Sequence, residues 1–464
     1  MRGSTPSTTR WWVVVLPEPR RHLGAGAALS VLVQGGPLLA AAVLSIVLAR
    51  TIGPSANGHF ALLVTLEGIT ALVVSLGLTA GITHEVSRRR WSVRRAFRTS
   101  YVAAVALGSL GLVGGMAVFA LLHHSVFSGI STWVAVLALC SLPPVLAYQY
   151  ADSIMLARER YEAFAGLELS HSLTLLLIGA VLAIPFGLTG AVIGLFAAAL
   201  VAALAGAWVL AREARRDSVV DRGESLREAF RFGLQTWGAN LLQQINYRFD
   251  VLILGGFATA KDVGVYSVAL TLTSVAWVLP QGLQTVLFPR AASLDESARL
   301  GEVSEQESDV AVAKAVRHSV LLTVPAALLI SALLVVAVPV LYGPKFGETT
   351  SLGFVLLPGV LLLGIGKVLT SAIAGRGFPR YMLYSGVISA LLTLALYLAL
   401  IPAFHAWGAA VASSISYGLM ALLWLLFFRR VTGIGLREAF VPRPEDVADY
   451  GGLAQLARTW RPTR

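Results

Sequence analysis

The sequence predicts an all-α polytopic membrane protein of about twelve transmembrane helices, arranged as two six-helix bundles related by a parallel internal repeat. Three observations carry this reading. Of the 464 residues, 56% are hydrophobic and only 13% are charged, with a mean hydropathy of +0.74, a balance foreign to soluble globular chains. Apolar stretches of the roughly 20 residues that a bilayer span requires recur along the whole chain. Two sequence patterns also occur twice, once in each half.

Taken in order, residues 1–24 hold Pro6, Pro17, Pro19, Arg20 and Arg21, and their apolar run at 11–16 is too short for a signal-peptide core. They read as a cytoplasmic tail. Apolar spans follow at 25–49, 58–81, 101–122, 131–151, 166–185 and 188–211, forming an N-terminal lobe over 25–211. A cytoplasmic linker at 212–230 leads to spans at 231–257, 264–288, 317–340, 352–374, 381–402 and 406–428, a C-terminal lobe over 231–428. Residues 429–464 read as a second cytoplasmic tail.

Basic residues near span ends stay on the cytoplasmic side. With the N-terminus inside, only Arg50, Lys261 and Lys345 of the 36 lysines and arginines fall on outer connections, and Arg248 and Lys367 fall within spans. The asymmetry places both termini in the cytoplasm, assigns the chain to the cell (cytoplasmic) membrane and requires an even number of spans. The net charge of +11 is then a topology signal, and nucleic acid is not a partner. Outer connections are too short to carry a catalytic domain. Gly364, Gly366 and Lys367 lack P-loop spacing, no HExxH occurs, and His123 and His124 have no neighbouring metal ligands in sequence. The single cysteine, Cys140, excludes an intrachain disulfide. The sequence calls for no catalytic residue, no metal and no cofactor.

The repeat pairs Arg50, Gly53, Gly58 and Phe60 with the segment holding Gly256, Gly264 and Tyr266, at an offset of 206 residues in the numbering. It also pairs Ile184, Pro185, Gly190 and Ala191 with Ile401, Pro402, Gly408 and Ala409. Each half has an even number of spans, so the halves share an orientation and a substrate site is expected between them. Gly35, Gly36 and Pro37 are expected to interrupt span 1 as a hinge, and Pro143, Pro144, Pro280 and Pro358 to break later spans.

Charges inside spans are expensive and usually face a cavity or a partner. Glu67, Arg248, Asp250 and Lys367 are the candidates that lie well inside spans. Glu67 and Arg248 lie at about the same depth, roughly 13 Å from the outer end at 1.5 Å per residue, which allows an interlobe pair. Asp250 lies about 200° around the helix from Arg248. Arg248 and Lys367 are expected to attract an anionic group, and Glu67 and Asp250 to serve coupling or an interlobe gate. Asn240, Gln243, Gln244 and Tyr247 share one helical face, and with Asn246 and with Gln281 and Gln284 of span 8 they give the cavity a wet lining. The run from Glu85 to Arg98, with Trp91 and Phe97 among six arginines, has the character of an interfacial segment near anionic headgroups, against the simpler reading that its arginines only set topology.

These residues carry a family pattern. The segment Leu48 to Phe60 with Gly77 and Leu78 resembles the opening of the Wzx-type polysaccharide flippases, as do Phe232 and Gly233, Asp250 to Gly255, Val263 to Tyr266, and Leu287 to Pro289. Later matches are Leu341 to Phe346, Ile401 with Pro402, and Gly408 to Ala410, so the resemblance covers about 25–430. It implies membership of the multidrug/oligosaccharidyl-lipid/polysaccharide exporter superfamily, and alternating-access movement of a polyprenyl-diphosphate-linked oligosaccharide to the outer leaflet. Membrane lipids and polysaccharide-assembly enzymes are the expected partners, and a coupling cation, H+ or Na+, is left open. Related lipid II flippases carry cavity arginines in helix 1, which this chain lacks before Arg50. Alternatives are a drug/cation antiporter, which the excess of Arg248 and Lys367 over a clustered carboxylate pair disfavours, and a non-transporting scaffold for glycan-synthesis enzymes acting through the C-terminal tail. A membrane glycosyltransferase is a third.

Overall fold

A computed structural model describes residues 23–217, 219, 226–277, 305–376, 378 and 380–446, and every regular element among them is helical. Span 1 is α1 (Leu23–Thr51), and span 2 is α2 (Gly53–Ser75) continued by α3 (Leu78–Ser87). Leu76 and Gly77 separate the last two, at φ +46° and +71°. Span 3 is α4 (Val93–Leu122), whose first turn is capped by Ser92 accepting from the Arg95 amide at 3.2 Å. Span 4 divides into α5 (Thr132–Leu139) and α6 (Leu142–Ala157). That division matches the break expected at Pro143 and Pro144, because prolines are tolerated in a helix's first turn and not in its middle.

Spans 5 and 6 are one element, α7 (Tyr161–Arg216), turned at Gly187. Spans 7 and 8 are α8 (Leu226–Phe257) and α9 (Ala260–Ser274), the latter opened by a reciprocal capping box between Thr259 and Asp262. Span 9 is α10 (Glu305–Ala332), which continues as a π-helix over Leu333–Tyr342, and span 10 is α11 (Gly347–Gly375). Spans 11 and 12 are α12 (Arg380–Thr432), turned at His405, and a short α13 (Leu436–Phe440) follows.

The interruption expected at Gly35, Gly36 and Pro37 is corrected: α1 runs through all three. A proline inside a membrane helix forfeits one backbone bond, which neighbouring helices can make good, and Gly36 is pressed against span 5, with Leu169 Cδ2 2.9 Å from where a Cβ would stand. The interfacial reading of 85–98 is also corrected. Trp91 and Glu85 are 1% exposed, and the Val93 amide donates to Asp217 at 2.6 Å, so the run is a packed turn with Arg88, Arg89, Arg94 and Arg98 exposed around it. Pro280 lies outside the described residues.

The repeat has a physical counterpart. A Cβ at Gly58 would fall 1.9 Å from the Ala260 carbonyl oxygen, and one at Gly264 would fall 1.9 Å from that of Pro54. Gly58 and Gly264 are repeat partners, and so are Pro54 and Ala260, so the two contacts are the same contact made twice around an axis. The turns between spans 5 and 6 and between spans 11 and 12 correspond equally well. Gly187 has φ +58° and ψ −132°, and His405 has φ +50° and ψ −126°. Behind each turn a glycine, Gly190 or Gly408, abuts the carbonyl of Leu182 or Leu400. Two bundles therefore meet along a seam running from the Arg50 end of the molecule to the Arg88 end.

The segment after span 12 folds back. Arg317, on α10, is 1% exposed and donates to both carboxylate oxygens of Asp446, at 2.6 and 3.2 Å, and to the Glu438 carbonyl at 2.9 Å. Residues 436–446 are thus bound to the C-terminal bundle.

Candidate functional site

Seven described helices are long and apolar enough to cross a membrane, and α8 is absent from that group. Its polar residues explain why. Gly233, Trp237, Asn240, Gln244, Arg248, Val251 and Gly255 recur at three- and four-residue intervals, so they form one stripe along α8. At the Arg88 end of the stripe, a Cβ at Gly233 would lie 2.3 Å from the Gly77 carbonyl oxygen, and the Trp237 indole donates to the Leu72 carbonyl at 2.8 Å. At the Arg50 end, Gly255 is pressed against Leu62 and Val126 of the N-terminal bundle. Between these contacts the stripe is polar: Asn240 and Arg248 are exposed and Gln244 is half-buried. In the intervening stretch of α2, Gly68 is exposed, with nothing within 4 Å of where a Cβ would lie. The seam is shut above and below a stretch of α8 whose stripe carries the exposed Arg248.

On its other side, α8 faces the C-terminal bundle. Tyr247, Trp277 and Tyr417 form a ring cluster with centroids 5.5 to 6.1 Å apart. Lys367 of α11 lies over it, its Nζ 4.2 Å from the Trp277 ring and 5.5 Å from Tyr247, while Trp277 is fixed by a 3.1 Å bond to the Val360 carbonyl. Aromatic faces stabilise a cation that has left water, and no carboxylate lies within 4.0 Å of Lys367 among the described residues. Gln243 is exposed one turn from Tyr247.

Asp250 is fully buried and accepts from Tyr266, whose hydroxyl lies 3.1 Å from Ser413, itself 3.0 Å from Tyr397. Asn246 is not part of a wet lining, as expected from sequence, but accepts from Ser389 and Thr393 of span 11 at 2.8 and 2.6 Å. Its amide satisfies two hydroxyls that burial had stripped of water.

Glu67 and Arg248 are not paired. Glu67 is buried within its own bundle and accepts from Ser141, whose hydroxyl is exposed to it by the break between α5 and α6. Equal depth fixed their level but not their direction around each helix. Gln281 and Gln284 lie outside the described residues.

Two groups were missed by sequence reasoning. In the N-terminal bundle, the Tyr148 hydroxyl donates to Glu168 at 2.6 Å, His171 stacks flat on Tyr148 at 5.0 Å, and Asp152 lies near enough to Glu168 for the two carboxyls to interact. Asp152 is 7% exposed, and its Oδ1 has no partner in the structure. Asp152 lies one residue past the end of span 4 as read from sequence, and Glu168, although inside span 5, lies so near its cytoplasmic end that the sequence does not single it out. At the Arg50 end, Arg50 Nε donates to the Leu341 carbonyl at 2.7 Å and a second guanidinium nitrogen donates to Val340, while Tyr342 reaches Ser45 at 3.4 Å. The π-helical ending of span 9 leaves carbonyls without internal partners, and Arg50 of the other bundle takes them. The sign of Arg50 at a span end was readable, but its use as a clasp was not.

Comparison with known proteins agrees with this architecture. The family model for polysaccharide biosynthesis proteins matches residues 23–295. A probable low-salt glycan biosynthesis flippase of Haloferax volcanii, Agl15, is 24% identical over 174 residues, 38% of this chain and 36% of its own. A probable flippase of the same organism, AglR, is 28% identical over 191 residues, 40% and 39% of the two chains. The chain thus spans less than half the length of these curated relatives. Among solved structures, an inward-facing multidrug resistance MATE family transporter superposes with a TM-score of 0.72 at 15% identity, covering 88% of this chain and 98% of that one. The lipid II flippase MurJ in an inward closed conformation gives 0.71 at 11% identity, covering 94% of each. These structures share the fold of twelve helices in two bundles. Matched over more than half its length, the chain belongs to the polysaccharide biosynthesis protein family and is a multi-pass membrane protein.

Proposed function

We propose that the protein is a flippase that carries a polyprenyl-diphosphate-linked oligosaccharide from the cytoplasmic to the outer leaflet of the cell membrane, with its termini in the cytoplasm. The observation that carries this reading is the polar stretch of the α8 stripe, with Arg248 exposed between two tight interbundle contacts. Arginine suits a diphosphate because its planar fork pairs two oxygens at once. Lys367 and its aromatic cluster add a cation and flat apolar surfaces of the kind on which sugar rings rest. The N-terminal lobe 25–211 and C-terminal lobe 231–428 would rock about the seam, with the Arg50 clasp closing the outer side in the state described. Gly35, Gly36 and Pro37 stand as hinge residues by the bending that a proline permits, with α1 unbroken in this state. Binding drives such a change only as far as substrate prefers one state over the other.

The test is to delete the gene and measure lipid-linked sugar on each leaflet. Accumulation on the cytoplasmic side, reversed by the wild-type chain and not by an Arg248→Glu variant, is expected. Unchanged surface glycan with normal precursor levels would rule the function out.

One observation favours a second reading. The Asp152 and Glu168 carboxyls supply the clustered acidic pair that a proton-coupled antiporter would use, and Asp250 and Glu67 are further buried carboxyls. Loss of cation or drug efflux in an Asp152→Asn variant with glycan export intact would select the antiporter.

A further inference from the structure

Positive charge on the outer side of a membrane protein is selected against, yet three outer cations are expected here, from three separate connections. The structure brings all three to one place. Arg50 closes the seam, as described. Lys261 and Lys345 line a cavity of about 420 Å³ together with Pro54, Pro344, Gly347 and Glu348. Both lysines are exposed, and neither forms an ion pair within 4.0 Å among the described residues. The chain has only 4 lysines against 32 arginines, so half of its lysines sit at this cavity.

Charge from the backbone adds to them. Lining residues Pro54, Lys261 and Glu348 lie in the first turns of α2, α9 and α11, so three helices begin at the cavity. Each brings the positive end of its dipole. Asp262, beside Lys261, is committed to the Thr259 cap. Among the described residues Glu348 is the one carboxylate lining the cavity, and two ammonium groups outweigh it. Just below, Val336, Val340, Leu341 and Phe257 are exposed apolar residues, the setting of an acyl or prenyl chain whose headgroup lies at the level of the cavity.

We infer that this cavity is a binding site for a phosphate-bearing headgroup in the outer leaflet. The ammonium groups of Lys261 and Lys345 contact the phosphate oxygens as point charges, and the chain of the lipid lies along the end of span 9. Because Pro54 belongs to one bundle and the other lining residues to the second, the occupied site bridges the seam and favours its closed state. The inference needs only a membrane-spanning chain with this end at a headgroup layer, so it stands or falls apart from the transported substrate.

The test uses the full chain in nanodiscs, comparing wild type with a Lys261→Gln/Lys345→Gln double variant. In one arm the discs contain phosphatidylcholine alone and inorganic diphosphate is titrated, read as a shift in thermal unfolding. In the other, discs contain phosphatidylglycerol, and lipid retained on the protein is counted by native mass spectrometry. We expect the double variant to lose about tenfold in apparent affinity in at least one arm, and Glu348→Gln to gain about threefold. Such a difference in the diphosphate arm identifies the phosphate itself as sufficient, and one confined to the phosphatidylglycerol arm identifies an intact lipid. A double variant matching wild type in both arms, with an unchanged unfolding temperature in the absence of ligand, overturns the site.

Discussion

Two residues of like charge, Arg248 and Arg317, stand in opposite situations. Arg248 is exposed on the α8 stripe, so replacing it should leave the fold intact. We expect Arg248→Gln to unfold at the wild-type temperature while glycan export falls at least tenfold, measured as surface polymer. Arg317 is enclosed with Asp446, and removing one partner of a buried pair costs about 3–5 kcal/mol. Asp446→Ala should therefore detach residues 436–446, seen as faster amide exchange and proteolysis there. Burial by itself would raise the Asp446 carboxyl, but the bonds from Arg317 and from the Arg443 amide, with the charges of Arg317 and His318, hold it below the ordinary aspartate range. A depressed carboxyl contributes its full stability above the unfolded value of about 3.9 and loses it as pH falls further. Protection of this segment should stay constant between pH 5 and 8 and weaken below about pH 4, with no such transition in Asp446→Ala. At this scale the sequence was informative about which charges matter and silent about their partners. An ionisable residue in an apolar run announces its own cost, which exposed Arg248, Lys367, Glu67 and Asp250. Its neighbour depends on rotation about the helix axis, and that hid the Glu67 bond to Ser141 and the meeting of Asp152 with Glu168.

Elements obey the same division. Apolar length gave the spans and proline placement gave the break before α6, since both are local properties. Where α1 passes through Gly35 to Pro37 unbroken, packing against Leu169 decided the outcome. His405 illustrates a local rule overridden by the repeat: its backbone needs a left-handed φ that Gly187 adopts freely in the other half. A side chain in such a region costs about 1–3 kcal/mol, so His405→Gly should stabilise the C-terminal bundle by about 1 kcal/mol, after the entropy a glycine adds to the unfolded chain. Thermal unfolding in a fixed detergent would measure it. At the seam, a methyl at Gly264 would be driven into the Pro54 carbonyl. Gly264→Ala should hold the Arg50 end apart, and a cysteine replacing Ser45, in a Cys140→Ser background, should react severalfold faster with an impermeant maleimide. Arg50→Ala should act in the same direction and more weakly, because it removes hydrogen bonds without adding a clash.

For the whole molecule, the repeat was the most legible feature. Glycines spaced 206 residues apart foretold two like bundles, and the same glycines proved to be the points where the bundles touch. The polar stripe of α8 was visible only in part, because helical spacing picks out a face without saying which bundle lies opposite. Assigning Asn240, Gln244 and Arg248 to the seam, and Tyr247 to the other side, required the contacts at Gly233 and Gly255. If function depends on rocking, joining Ser45→Cys to Tyr342→Cys, in a Cys140→Ser background, with a bifunctional thiol reagent whose spacer contains a reducible disulfide should abolish export and reduction should restore it. The reciprocal contact at Gly58 and Gly264 has an evolutionary reading as well. An interface in which each partner offers the other the same surface is that of a two-fold homodimer, here contained in one chain. A half-length progenitor with one such glycine would have paired with its own copy, and fusion through the 218–225 connection would have freed each half to change alone. That freedom accounts for the acids Glu67, Asp152 and Glu168 lying in one half and Lys367 with its aromatic cluster in the other. Separately expressed halves, cut within that connection, should reassemble at the same seam.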